Sequence, residues 1–191
     1  MKKIMKLAIL VAVLLEVTMA ANPPRDMADV IGRSINSSSG SWFAKFGHVA
    51  LYNSSNRQAL EVTNHRGNVV RYVPLSTITR PRTGRRHYWG ARYGKGSTSQ
   101  HYRALSYGYS QKSYYTKYTF SPYYTEAKWV YKYRWYPRKF RWIKKWYKQN
   151  AKFRCDSFVN FCYKKATGRS LIKYTWATTS NRVFKALPRK R

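Results

Sequence analysis

Cys155 has the residue type and the position needed for thiol chemistry. It opens a stretch in which apolar residues recur at 155, 158, 159, 162, 163 and 166, which is one face of an α-helix. Gly168 is a natural end for that helix. A thiol in a first helical turn faces the positive end of the helix dipole and unpaired backbone N–H groups, and both lower the pKa of a cysteine. The pattern predicts a nucleophilic thiol at a helix start; the competing interpretation is a small buried hydrophobe.

A thiolate nucleophile needs a base, and His48 is the best candidate. It lies in Trp42 to Tyr52, a run of aromatic and β-branched residues that predicts a strand. Two more short strands are predicted, from Ala59 to Thr63 and from Asn68 to Leu75, with tight turns between them. Together they predict a small antiparallel meander that carries the histidine.

Glu61 is the candidate third member of the site. Alternation puts His48, Ala50 and Tyr52 on one face of the first strand, and Glu61 shares a face with Thr63 on the second. If the register brings the two faces together, the carboxylate can orient the imidazole, as triads of this kind require. His65 is a second candidate for that orienting role.

Around these residues the sequence resembles the NlpC-type papain-like cysteine hydrolases. The segments that carry the resemblance are Gly-His-Val-Ala-Leu-Tyr at 47–52, Leu-Glu-Val at 60–62 and Arg-Cys-Asp-Ser-Phe-Val at 154–159. The last is similar to the family's nucleophile motif, Asp-Cys-Ser-Gly-Phe-Val. Because the histidine precedes the cysteine, the chain resembles the circularly permuted branch, which includes the lecithin:retinol acyltransferase type.

The resemblance implies a papain-like α+β fold, with a small antiparallel sheet packed on the helix that carries the cysteine at its N-terminus. It also implies the roles of the three residues: Cys155 as the nucleophile, His48 as the base and Glu61 as the orienting group. Two departures leave the substrate open. Arg154 replaces an acidic residue, and Asp-Ser at 156–157 replaces Ser-Gly.

The second cysteine, Cys162, is interpreted as a core residue. Seven residues beyond Cys155 on one helix, it lies roughly 10 Å along the axis, which is too far for a disulfide. Cys155, expected at the exposed end of the helix, therefore remains a free thiol.

The N-terminus predicts export. Lys2, Lys3 and Lys6 precede an apolar run from Leu7 to Leu15, and small residues near Ala20 suit cleavage. Residues 1–20 are therefore predicted to be a signal peptide and 21–191 one domain, periplasmic or extracellular, with no transmembrane span after cleavage.

The charge of the chain predicts a polyanionic partner. Lys and Arg number 38 against 6 acidic residues, a formal net charge of +32, which attracts polyanions. The segment 80–150 holds 18 Lys or Arg and 21 aromatic residues, but only one acidic residue. An anionic envelope polymer or peptidoglycan is the expected partner, and nucleic acid is the alternative.

Local patterns give weaker structural predictions elsewhere. Helical periodicity predicts helices at residues 26–34 and 138–149. Strict alternation predicts a strand at residues 126–136. A composition rich in Gly, Ser and Tyr is typical of a loop at residues 80–117.

These features predict an exported cysteine hydrolase, a peptidase or amidase, that acts on amide bonds of cell-wall peptidoglycan through Cys155, His48 and Glu61. No cofactor is expected, and no His/Cys cluster has metal-ligand spacing. Two alternatives stay open: an acyltransferase or lipid amidase with the same triad, and a non-catalytic cationic protein that binds the envelope or nucleic acid.

Overall fold

The sheet at the centre of the protein is antiparallel and has five strands, in the order β4-β3-β2-β1-β5. Its strands are β1 (Val30–Arg33), β2 (His48–Asn53), β3 (Gln58–Val62), β4 (Val70–Pro74) and β5 (Tyr88–Arg92). The predicted meander is confirmed as β2, β3 and β4, which pair in sequence order.

In the part of the chain that the structure describes, four helices accompany the sheet: α1 (Leu75–Thr79), α2 (Thr98–Ser110), α3 (Cys155–Thr167) and α4 (Ser180–Lys185). A short parallel pair joins β6 (Lys117–Tyr118) to β9 (Lys152–Phe153), and a separate antiparallel ribbon joins β7 (Lys128–Tyr136) to β8 (Arg141–Gln149). The architecture is therefore α+β, as predicted.

This computed structural model describes residues 22–35, 47–64, 69–80, 88–92, 94, 96–114 and 116–188. The predicted signal peptide, the first part of the strand predicted at Trp42, and the candidate His65 lie outside the described residues. Within the described ranges, no helix combines the length and apolar character needed to cross a membrane.

The helix α3 begins and ends where the sequence pattern predicts. Its first residue is Cys155, and Gly168 ends it with a left-handed φ of 77°, a conformation that glycine adopts without steric conflict. At the other end, the Ser157 hydroxyl accepts a hydrogen bond from the backbone N–H of Arg154 at 3.0 Å. The thiol is thus held in the first turn by an ordinary helix start.

The main core lies between the sheet and α3. Leu51 and Leu60 from the sheet join Phe158, Cys162 and other buried residues in one cluster. The interpretation of Cys162 as a core residue is confirmed, since it is fully buried. A smaller cluster, which includes Ala50, fills the other face of the sheet.

The prediction of a loop over residues 80–117 was wrong for much of that segment, because the segment contains β5 and α2. Helix α2 begins with a capping box, in which the Ser97 and Gln100 side chains each bond the other's backbone N–H. It packs on α3 through small residues: a Cβ on Gly108 would lie only 2.8 Å from the Cys162 sulfur. The two helices therefore pack through close approach of their backbones, where larger aliphatic side chains would otherwise fill the space.

Two helix predictions were also wrong. Of the residues 138–149, those from 141 to 149 form β8, because the strand β7 pairs with them along its whole length, and the rest belong to the turn that Pro137 opens. In residues 26–34 the apolar run belongs to the strand β1, which lies between β2 and β5 and whose Val30 and Ile31 are fully buried. A strand buried on both faces lacks the alternation that would reveal it. The strand predicted over 126–136 is confirmed as β7.

Candidate active site

Cys155 lies at the first position of α3, directly after the short strand β9. It is only 3% exposed, so the expectation of an exposed helix end was wrong. The thiol is covered in part by α4, whose Ser180 hydroxyl lies 3.2 Å from the Cys155 sulfur. A reagent or substrate must therefore enter the protein surface to reach this buried thiol.

His48 and Glu61 are in direct contact, as the strand pattern predicts. His48 Nε2 lies 2.8 Å from Glu61 Oε2, and both side chains are buried. The contact is possible because β2 and β3 pair with Leu51 opposite Leu60. Continued by one residue, that register puts Glu61 opposite Ala50, on the His48 face of the sheet.

Gly47 fixes the start of the histidine strand. It has a φ of 66°, and a Cβ at this position would lie 1.9 Å from the Trp89 ring. Since a side chain fits neither the backbone conformation nor the space, only glycine fits at the position before His48, against the Trp89 ring.

Glu61 is held from a second side by Arg71, which faces it across the β3–β4 pair. Arg71 Nε donates to Glu61 Oε1 at 3.0 Å. Burial alone would raise the pKa of Glu61, but the hydrogen bonds and positive charges of His48 and then Arg71 outweigh it and lower the pKa below its usual value. Glu61 is therefore a buried carboxylate that stays ionised.

The imidazole of His48 interacts with the thiol as well as with the carboxylate. Burial opposes the charged ring, but the neighbouring Cys155 and Glu61 side chains outweigh burial and raise the pKa of His48 to about 9. Because Nε2 is engaged by Glu61, the nitrogen left for the thiol is Nδ1. His48 is thus hydrogen-bonded to Glu61, and it lines one cavity together with Cys155.

Two of the residues that depart from the family's nucleophile motif form an ion pair. Arg154 donates to both oxygens of the Asp156 carboxylate, at 2.6 and 2.7 Å. Its guanidinium also bonds the backbone carbonyls of Phe120 and Thr178. Arg154 therefore ties the segments on either side of the site to the start of α3.

A cavity of about 200 Å³ opens beside the thiol. It is lined by Ile35, Gly47, His48, Val62, Thr63, Asn64, Tyr118, Phe120, Arg154, Cys155 and Ser180. Most of the exposed lining is apolar. Such a site accepts a small apolar group next to a reactive carbonyl.

The other histidine and the other cysteine of the described residues do not line this cavity. His101 is on α2, where its ring packs edge-on against Tyr163. Burial raises the pKa of the Cys162 thiol well above its usual value, so that thiol stays protonated and unreactive. Within the described ranges, no group of three or more His, Cys, Asp or Glu side chains could hold a metal ion.

Sequence reasoning missed Arg71 and Ser180. Arg71 could have been found from the strand register, since it lies opposite Glu61 once β3 and β4 pair. No spacing signal points to Ser180, because it reaches the thiol through the packing of a separate short helix.

The chain matches no protein-family model, no curated protein and no solved structure at a significant level. Its function is therefore inferred from the geometry of the site and from the short motifs around it.

The raised pKa of His48 leads to a prediction about pH. In acyl transfer by a thiolate, the protonated imidazole gives its proton to the leaving group. His48 holds that proton below a pKa of about 9 and loses it above. We therefore expect kcat/KM to fall as pH rises through about 9, measured by initial rates in overlapping buffers. A rate that keeps rising beyond that pH would contradict the role of His48 as an acid.

Proposed function

We propose that the protein is an exported cysteine hydrolase of papain-like fold, from the circularly permuted branch, that cleaves amide bonds of cell-wall peptidoglycan. The observation that carries the proposal is the arrangement at the start of α3. A buried imidazole is hydrogen-bonded to a buried carboxylate, and it lines the same cavity as the Cys155 thiol. The predicted signal peptide supports export, to a periplasm or to the outside.

The first half of the reaction forms a thioester. The Cys155 thiolate attacks the carbonyl carbon of the scissile amide, and the carbonyl oxygen becomes an oxyanion. The backbone N–H of Cys155, at the start of α3, is positioned to stabilise that oxygen. The His48 imidazolium then gives its proton to the departing amine, the carbon–nitrogen bond breaks, and an acyl-enzyme remains.

The second half releases the acyl group. Neutral His48 takes a proton from water, and the resulting hydroxide attacks the thioester carbonyl. The carbon–sulfur bond breaks, the carboxylic acid leaves, and the thiolate–imidazolium pair is restored. Throughout, Glu61 holds the ring orientation and stabilises its charge, while Arg71 keeps Glu61 ionised.

A second candidate is an acyltransferase or lipid amidase with the same three residues. The apolar lining of the cavity, which includes Ile35, Val62 and Phe120, suits a hydrocarbon chain next to the thiol. In that reaction an amine or alcohol, not water, would accept the acyl group from Cys155. If the protein shows no turnover, the third alternative, a non-catalytic cationic binding protein, is supported.

The test is cleavage of a defined substrate by the purified chain. Peptidoglycan fragments are incubated with wild type and with Cys155→Ala, and new amines and product masses are recorded. We expect new amines only with wild type. If an added amine or alcohol yields acylated acceptor in place of free acid, the acyltransferase is favoured. Equal product from both proteins, or none from either, would overturn the proposed hydrolase.

A further inference from the structure

The ribbon formed by β7 and β8 stands apart from the core in its composition and its exposure. Its two nine-residue strands pair from Lys128 opposite Gln149 to Tyr136 opposite Arg141, a length of about 30 Å. Residues 128–149 hold nine Lys or Arg, nine aromatic residues and no acidic residue. Within the described part of the chain, neither strand adds to another sheet.

The two faces of the ribbon differ. Alternation and register place six aromatic side chains on one face, 41% to 65% exposed: Trp129, Tyr131, Tyr133, Trp135, Trp142 and Trp146. The rings form two cross-strand pairs, Tyr131 with Trp146 and Trp135 with Trp142. We refer to these six residues as the aromatic face. An exposed aromatic surface this continuous marks an interaction site.

Cations surround the aromatic face. Within it, Lys144 lies over the rings of Tyr131 and Tyr133, at 5.0 and 5.2 Å from their centres. The opposite face carries five more cations: Lys128, Lys132, Arg134, Arg141 and Lys145. The ribbon is only one sheet thick, so charges on both faces lie within about a Debye length of any surface that the aromatic face touches.

The turn at the tip of the ribbon presents one exposed aromatic ring on a strained backbone. Phe140 is 85% exposed and has a left-handed φ of 45°, a conformation that is unfavourable for a bulky residue. It follows two cations, Arg138 and Lys139, and precedes Arg141. Among the described residues, little surface covers this ring to offset the strain, so the ring is available to an outside partner.

We infer that this ribbon docks the protein on an anionic phospholipid bilayer, with the aromatic face at the level of the head groups. Trp and Tyr favour the membrane–water interface, where the ring is partly apolar and the N–H or O–H stays hydrated. Lys and Arg are attracted to anionic lipid, and the Phe140 ring can enter the acyl boundary. Single-stranded nucleic acid or a glycan would use the rings and the charge but leaves the Phe140 tip without a partner.

The inference is tested by co-sedimentation of the full chain with lipid vesicles. The vesicles contain phosphatidylcholine alone, or phosphatidylcholine with phosphatidylglycerol at roughly three to one, at low and high salt. We expect binding to the anionic vesicles to be at least about tenfold tighter, and to weaken as salt rises. Equal binding to both vesicle types, or to neither, would overturn the inference.

Matched variants separate the ribbon from the general charge of the chain. Neutralising five ribbon cations to Gln (Arg138, Lys139, Arg141, Lys144 and Lys145) should weaken vesicle binding about 100-fold. The same change at five exposed cations elsewhere (Arg103, Lys164, Arg169, Lys173 and Lys185) removes equal charge and should weaken it less than about fivefold. Equal losses would show that the ribbon is not the docking element.

A second comparison isolates the aromatic face and needs no loss of charge. Replacing Trp129, Trp142 and Trp146 with Ser should weaken binding at least about tenfold, whereas Trp176→Ser, at an exposed tryptophan outside the ribbon, should not. In unaltered protein, brominated lipid should quench tryptophan fluorescence. Tighter binding to single-stranded DNA or to purified wall polymer than to vesicles would assign the ribbon to that polymer and overturn the membrane inference.

Discussion

Replacing Cys155 with alanine is expected to lower the kcat for peptidoglycan fragments by at least about 10³-fold. The substitution removes the only nucleophile in the proposed mechanism, and the Ser180 hydroxyl beside it has no deprotonating partner of its own among the contacts described. His48→Ala should cause a loss of similar size, because a thiol without its base is mostly protonated at neutral pH. Steady-state rates measure both.

The same experiment has an internal control in the second thiol. Cys162→Ala removes a sulfur from the core, at a residue that is fully buried, and should lower stability while leaving kcat within about threefold of wild type. The double variant of Cys155 and His48 should be no slower than either single variant, since residues that act as one unit are not additive. Retained turnover in Cys155→Ala would exclude the thiol mechanism.

The second large effect is expected at Glu61. Glu61→Gln keeps the shape of the side chain but removes the charge that helps to raise the pKa of His48. We expect kcat to fall by about 10²- to 10⁴-fold, and the alkaline limb of the kcat/KM profile to move to lower pH. Both changes follow from loss of the carboxylate, which leaves the His48 ring less firmly oriented and less readily protonated.

Stability should fall as well. Glu61 is buried between His48 and Arg71, and removing one partner of a buried ion pair costs about 3 kcal/mol. Because the Arg71 side chain is 36% exposed, solvent lessens this loss. We expect Glu61→Gln to lower the free energy of unfolding, measured in urea, by on the order of 2 kcal/mol.

Glu126→Gln is the matched control for charge. It removes the same charge from a surface pair with Lys165, whose side chain is 40% exposed, and should change the free energy of unfolding by less than about 1 kcal/mol. An alkaline limb that stays in place in Glu61→Gln would show that Glu61 does not act on His48.

The positions of the three candidate residues were predictable from sequence because they lie on elements with strong local patterns. A helical apolar stripe placed Cys155 at a helix start, and the three short strands with tight turns placed His48 and Glu61 on neighbouring strands. The contact between them depended on the strand register, which the alternation of buried residues specifies. Once the register is known, Arg71 follows from it.

The errors arose where tertiary packing overrides local pattern. Helix α2 lacks an aliphatic stripe and is stabilised by close approach to α3 at Gly108. Strand β8 has apolar residues at helical spacing, yet it pairs with β7 because the two strands follow each other around a tight turn. The burial of Cys155 depends on α4, a separate element whose position local sequence does not reveal.

The central claim, that Cys155 is a thiol activated by His48, is tested most directly by alkylation. The protein is treated with iodoacetamide near neutral pH, and the labelled cysteine is mapped by mass spectrometry over time. We predict that Cys155 is labelled first, through the adjoining cavity, that Cys162 stays unlabelled, and that His48→Ala slows the reaction of Cys155 by at least about tenfold. Preferential labelling of Cys162, or a rate at Cys155 that His48→Ala leaves unchanged, would contradict the account.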